Sequence, residues 1–166
     1  MTTLTVSDRP AADLKGDALV LVSIQTDRGA ALAPGHGLDE KIVAHLESAL
    51  STLKASAEPD EAVKLVAVPG VKAGLVLLTG AGRPSEQGAE LDAEVVRRAV
   101  GSAARQLSGL AKVLVVAPGN GVAEAVAAAE GALLGAYAIT TLAAHGGSTA
   151  VKAVVILTPA AGDRTL

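Results

Sequence analysis

The chain contains no cysteine, phenylalanine or tryptophan, and its 166 residues include one tyrosine and one methionine. Without cysteine there are no disulfides, no thiolate metal ligands and no cysteine nucleophile, a composition that fits the cytosol. With almost no aromatic residues, a core has to be assembled from Ala, Val, Leu and Ile. Apolar residues still make up 50% of the chain, and one domain of this length can bury a substantial core. Small and β-branched side chains favour regular sheet and helix layers, with glycine allowing close approach.

Excess charge of one sign is also missing. The formal net charge is −3, which gives no electrostatic reason to expect a nucleic-acid partner. The short basic strip of Arg97, Arg98 and Arg105 lies beside Glu90 and Glu94 and reads as a solvated helix surface. The first residues have neither a basic start nor a long apolar run, so no secretory signal is visible. Val122 to Ala144 is the one candidate membrane span. It is mostly Ala and Gly, which insert poorly, and it would put Glu130 near the bilayer centre. It reads as a buried helix, so no membrane partner is expected and the expected location is cytoplasmic.

Leu4 and Val6 alternate with polar residues, as in a short edge strand. Asp17 to Ile24 is a continuous apolar run, the pattern of a strand covered on both faces. A Gly/Pro-rich loop is expected from Gly29 to Gly37, turning at Pro34-Gly35. Asp39 is placed to cap a helix reaching about Lys54, with Ile42, Val43, Leu46, Ala49, Leu50 and Leu53 as its apolar stripe. Two strands follow, Val63 to Val68 and Gly74 to Thr79, linked closely enough to pair antiparallel.

Beyond Gly80-Ala81-Gly82 a helix is predicted from about Gln87 to Leu107. It turns Leu91, Val95, Ala99, Ala103 and Leu107 inward and sets Glu94 to meet Arg98. Then come a strand from Lys112 to Ala117, a turn at Pro118-Gly119-Asn120-Gly121, a glycine-bearing helix, and a strand from Val151 to Thr158. The alternation predicts an α/β fold: a mixed sheet of about six strands with helices on both faces. Residues 1–158 form the domain, and 159–166 read as the start of a linker. There is no internal repeat and no second domain.

No complete active site is visible. Gly80 and Gly82 lie between a strand and a helix, where backbone N–H groups could meet a phosphate. The third glycine of a dinucleotide fingerprint is missing, with Ser85 in its place, and no acid stands ready for a ribose. Gly119-Asn120-Gly121 is similar, with Glu124 where a third glycine would sit. Both read as tight turns.

His36, His45 and His145 are scattered, without a second ligand at helical spacing, and read as solvated. Asp39-Glu40 reads as a helix cap and Asp60-Glu61 as a solvated link. Nucleophile elbows, phosphate loops and Ser-x-x-Lys pairings with a credible base are lacking. No catalytic, cofactor-binding or metal-ligating residue is therefore assigned.

Glu130-Gly131-Ala132-Leu133-Leu134-Gly135-Ala136-Tyr137 stands out. Glycine inside a helix costs roughly 1 kcal/mol against alanine, so Gly131 and Gly135 on one face imply that something packs very close. The segment resembles the Glu-Gly-x-x-Leu-Gly-x-Tyr stretch near the end of the N-terminal domain in the leucyl (cytosol) aminopeptidase family. Asp17 to Ile24, the loop from Leu32 to Asp39, Gly74 to Gly82 and the helix from Gln87 to Leu107 resemble that domain in the same order.

The resemblance implies a macro-domain-like, three-layer α/β/α sandwich. It also implies a catalytic domain in cis, absent here, which in the family carries two divalent metal ions (Zn or Mn) and removes N-terminal amino acids. The family's catalytic signature, Asn-Thr-Asp-Ala-Glu-Gly-Arg, does not occur in this chain. The implied role is structural, supporting the catalytic domain and the family's hexamer, with no cofactor in this chain. Two other roles stay open: a macro-like module for ADP-ribose or a related nucleotide, and DNA binding, which the charge balance does not support. After Tyr137 the family often continues with basic and aromatic residues, whereas Ala138-Ile139-Thr140-Thr141 stand here.

Overall fold

Strand β2 (Ala18–Thr26) is the axis of the molecule, and Ala18 to Ile24 are all buried. The computed structural model describes residues 1–85, 90–142 and 150–164. Among them a seven-stranded sheet runs β1 (Thr3–Ser7), β7 (Ala153–Leu157), β6 (Lys112–Val116), β2, β5 (Leu75–Gly80), β4 (Ala62–Val66), with β3 (Gly29–Leu32) paired to β2 off this path. β1, β7, β6, β2 and β5 are mutually parallel, while β4 and β3 run antiparallel to β5 and β2. The mixed sheet and the antiparallel β4–β5 pair match the sequence reading, as does β1 at the edge.

Helices α1 (Glu40–Thr52), α2 (Ala93–Gln106) and α3 (Val122–Leu142) cover the sheet. Strand periodicity sorts the core into two layers. Ala18, Val20, Leu77, Val113, Val115 and Ile156 face one cluster, shared with α2 and α3. Leu19, Leu21, Val76, Leu78, Leu114 and Leu157 face the other, where Ile42, Leu46 and Leu50 of α1 pack. Helices on both faces of a mixed sheet make the expected three-layer sandwich.

Several details differ from expectation. Gly29 to Leu32, read as loop, is strand β3, in which Ser23 faces Leu32 and Thr26 faces Gly29. Two of the expected stripe residues of α1, Val43 and Ala49, are half-buried, and Leu53 is 56% exposed. In α2 it is Val96 and Val100 that are fully buried, while Val95 is half-buried. The first positions expected for that helix, 87–89, lie outside the described residues. α2 begins at Ala93, where the Asp92 carboxylate accepts from the Glu94 N–H at 2.8 Å. Asp39 holds the cap position of α1 but makes no side-chain cap hydrogen bond. Residues Pro159–Gly162 form a 3₁₀ turn after β7, capped by the Thr158 hydroxyl, which accepts from the Ala160 N–H.

The pairing of β2 shapes the upper end of the sheet. β6 pairs with β2 over Ala18 to Val20, and β3 occupies the same edge of β2 from Ser23 onward. After β5 the chain crosses through α2 to β6, on the opposite side of β2. The carboxyl ends of β2 and β6 therefore flank a topological switch point, the place where open α/β sheets bind ligands.

Candidate functional site

The loop of residues 33–39 leads into α1, and that of residues 117–121 leads into α3. Both lie at the switch point, and they touch. The Gly119 N–H donates to the Pro34 carbonyl at 2.8 Å. A Cβ on Gly35 would collide with the Gly119 carbonyl oxygen and lie 2.6 Å from its nitrogen. Both glycines also have left-handed backbones, φ +85° and +78°, so a side chain at either position would be strained, and at Gly35 it would also strike backbone.

Cavities of about 270 and 280 Å³ lie at this contact, with Gly35 and Asn120 lining both. The first is lined by Asp8, Arg9, His36, Asn120 and Thr158 over an apolar floor. The second is lined by Pro34, Glu90, Leu91, Pro118, Asn120 and Glu124, with no basic residue on its wall among the described residues.

Glu124, on the first turn of α3, folds back over Gly119 and Gly121. A Cβ on Gly121 would collide with its Oε2, and one on Gly119 would stand 3.4 Å from its Cγ. That Oε2 is fully buried and has no hydrogen-bond partner. Sequence reading noticed Glu124 only as a break in a glycine pattern. No local signal shows that its carboxylate turns inward.

The Gly80–Gly82 turn is closed by other means. Its three N–H groups donate to Glu61, Ser23 and Ala57 carbonyls at 2.8, 2.9 and 2.8 Å. A Cβ on Gly80 would collide with the Glu58 carbonyl oxygen. With every amide engaged, none can cradle a phosphate, and the reading as a tight turn is the one the geometry supports. The Asp60-Glu61 pair, expected to be solvated, works on this loop. Glu61 accepts from the Ser56 and Glu58 N–H groups and from the Ser56 hydroxyl. Asp60 accepts from Arg98 Nη2 at 2.5 Å, which is the main reason its carboxyl titrates below the ordinary value.

Of the histidines, His45 is exposed as expected and His145 lies outside the described residues. His36 is half-buried, because its Nδ1 accepts the Leu38 N–H at 3.1 Å within the loop. Burial lowers its pKa below 6.5, opposed in part by the Glu47 carboxylate. Among the described residues no three His, Cys, Asp or Glu side chains gather as a metal site.

The glycine helix packs on α2. A Cβ on Gly131 would collide with the Arg97 carbonyl oxygen, and one on Gly135 with that of Gly101. Glu130 receives Arg97 Nε at 2.7 Å and Nη2 at 2.6 Å across the seam. Arg97 also reaches Glu94, so Glu94 pairs with Arg97 rather than with the expected Arg98. The acid and glycines of the Glu130–Tyr137 segment are thus a helix-packing device. Among the described residues no helix is long and apolar enough to cross a membrane.

Solved structures place the fold in a recognisable class. A tomato leucine aminopeptidase variant superposes with a TM-score of 0.64 at 17% identity, covering 95% of this chain and 32% of that one. A Trypanosoma brucei macrodomain in complex with ADP superposes with a TM-score of 0.56 at 20% identity, covering 94% of this chain and 64% of that one. The fold is macro-domain-like, and these identities carry the fold alone.

The sequence carries the family. The model described as "Cytosol aminopeptidase family, N-terminal domain" matches residues 20–144. A probable cytosol aminopeptidase of Streptomyces griseus is 43% identical over 141 residues, covering 84% of this chain and 27% of that protein. Its counterpart in Streptomyces coelicolor is 41% identical over 138 residues, covering 82% and 27%. The chain belongs to the cytosol aminopeptidase family, as its N-terminal domain. It spans about a quarter of the length of these relatives.

Proposed function

We propose that this chain is the non-catalytic N-terminal domain of a cytoplasmic leucyl aminopeptidase, with a structural role. It supports a catalytic domain in cis and the hexamer expected of the family. The observation that carries this reading is the match to an N-terminal-domain model, together with a span of 27% of the Streptomyces griseus relative. Two divalent metal ions, Zn²⁺ or Mn²⁺, belong in this reading to the other domain, where they would activate water for peptide hydrolysis. Leu133 and Leu134 on α3 are 39% and 61% exposed, apolar surface of the kind that protein contacts cover.

The rival reading, a macro-like module for ADP-ribose or a related nucleotide, meets two obstacles. The Gly80–Gly82 amides are engaged, and a carboxylate lies against Gly119 to Gly121.

The test is an assay of the purified chain with a leucyl chromogenic substrate and added Mn²⁺ or Zn²⁺. No turnover is expected. Turnover that follows the chain through successive purification steps would overturn the assignment.

A further inference from the structure

We propose that Asn120-Gly121 is a modification site at which the chain converts itself. The Asn120 side chain closes onto the Gly121 nitrogen, ammonia leaves, and aspartate or isoaspartate remains in the loop ahead of α3. Asn120 is the chain's one asparagine, a residue type known for thermal lability. Glycine follows it, so no Cβ crowds the attacking nitrogen.

Three observations make the pair reactive in the folded chain. Asn120 and Gly121 are both exposed, so water reaches them. Among the described residues no hydrogen bond engages the Asn120 side chain or the Gly121 N–H. Gly121 stands just before α3, where the helix provides no partner for that N–H. The loop's anchors lie elsewhere: the Gly119 N–H donates to Pro34 and the Gly121 carbonyl accepts from Ala125. The five-membered ring contains only Asn120 atoms and the Gly121 nitrogen, so its closure requires rotation within Asn120 alone.

The Gly121 nitrogen gives up its proton and bonds to Asn120 Cγ. The bond from Cγ to Nδ2 breaks, and ammonia departs with a proton gained from water. Water then opens the resulting succinimide at either carbonyl. Breaking the new bond to Cγ gives aspartate, and breaking the original peptide bond gives isoaspartate. The net reaction consumes one water and releases one ammonia, with no oxidant, reductant or cofactor.

The product changes the crevice. Asn120 lines both cavities there, one of them together with Glu90 and Glu124, and conversion adds a third carboxylate to these two. Isoaspartate also adds a methylene to the main chain between Gly119 and α3. This inference concerns the chain's own chemistry and holds whether or not a catalytic domain accompanies it.

Intact-mass spectrometry with peptide mapping tests it, on chain incubated in mildly alkaline buffer at physiological temperature. The parent should gain the mass that replaces an amide NH2 by OH, with aspartate and isoaspartate both found at position 120. Asn120→Ser should gain none, and Gly121→Ala should convert at least tenfold more slowly. Gly121→Ala suits the test because its backbone is not left-handed and the three atoms nearest an added Cβ belong to the flexible end of Glu124. Parent unfolded in guanidinium chloride supplies a reference rate, which the folded parent should match to within about tenfold.

Far-UV circular dichroism establishes that each variant is folded. If Gly121→Ala is not, the folded and unfolded parent decide the question. A folded parent that stays unchanged while the unfolded chain converts would overturn the proposal. So would an equal mass gain in Asn120→Ser, or a folded Gly121→Ala that converts as fast as the parent.

Discussion

His36 is held neutral by its loop. Its Nδ1 accepts the Leu38 N–H, which only the unprotonated nitrogen can do, and burial disfavours the imidazolium. The folded pKa therefore lies below 6.5, with Glu47 opposing the shift. For a base whose folded pKa is depressed, the unfolded chain binds the proton first. The contribution to stability is complete above the unfolded pKa and is lost as pH falls through the folded value. Unfolding free energy should thus decline as pH drops below 6.5. His36→Asn keeps an acceptor for Leu38 but does not titrate, so it should flatten part of this slope. Denaturant unfolding of parent and variant across pH 5–7 makes the comparison. Parallel slopes would show that His36 does not sense pH through this hydrogen bond.

At the scale of elements, α2 and α3 meet backbone to backbone. A methyl group at Gly135 would strike the Gly101 carbonyl and lie 2.7 Å from the Ala104 Cβ, and one at Gly131 would lie 3.0 Å from the Arg97 carbonyl carbon. Backbone cannot yield as the end of a long side chain can. Gly135→Ala and Gly131→Ala should each destabilise the domain by about 1–3 kcal/mol through overpacking. Thermal unfolding followed by circular dichroism measures this, and a pair of variants melting with the parent would refute close approach as the purpose of these glycines.

That the glycines mark packing was legible in the sequence, because glycine inside an apolar helix has few other uses. The partner surface was not, since Arg97 and Gly101 lie some thirty residues earlier in the chain. The same limit explains β3. Gly29-Ala30-Ala31-Leu32 has no β-branched residue and little intrinsic strand preference, and it is extended because the free edge of β2 beyond Val20 pairs with it. Local spacing likewise left Glu94 able to meet either Arg97 or Arg98. The choice fell to Asp60, which takes Arg98, and to Glu130, which draws Arg97 to the seam. The strand-end crevice followed from topology, but the carboxylate laid over its glycines depends on a side-chain direction at Glu124 that no spacing encodes.

For the whole molecule, the two core layers are not independent units. β2, β5 and β6 each send alternate residues to opposite faces, so the same backbone carries both. Leu77 and Leu78 are neighbours in β5, both fully buried, and they face different layers. A layer that lost its packing would free the strands that the other layer needs. The two should therefore melt together, as small single domains usually do.

Leu77→Ala and Leu78→Ala should each cost about 2–5 kcal/mol and lower the midpoint of one shared transition. Calorimetry is the suitable probe, because a chain with one tyrosine and no tryptophan reports little tertiary structure by its own absorbance or fluorescence. The calorimetric and van't Hoff enthalpies should agree for the parent and both variants. A second transition appearing in one variant alone would show that the α1 layer and the α2–α3 layer unfold separately. The shared strands would then be a geometric frame without energetic coupling.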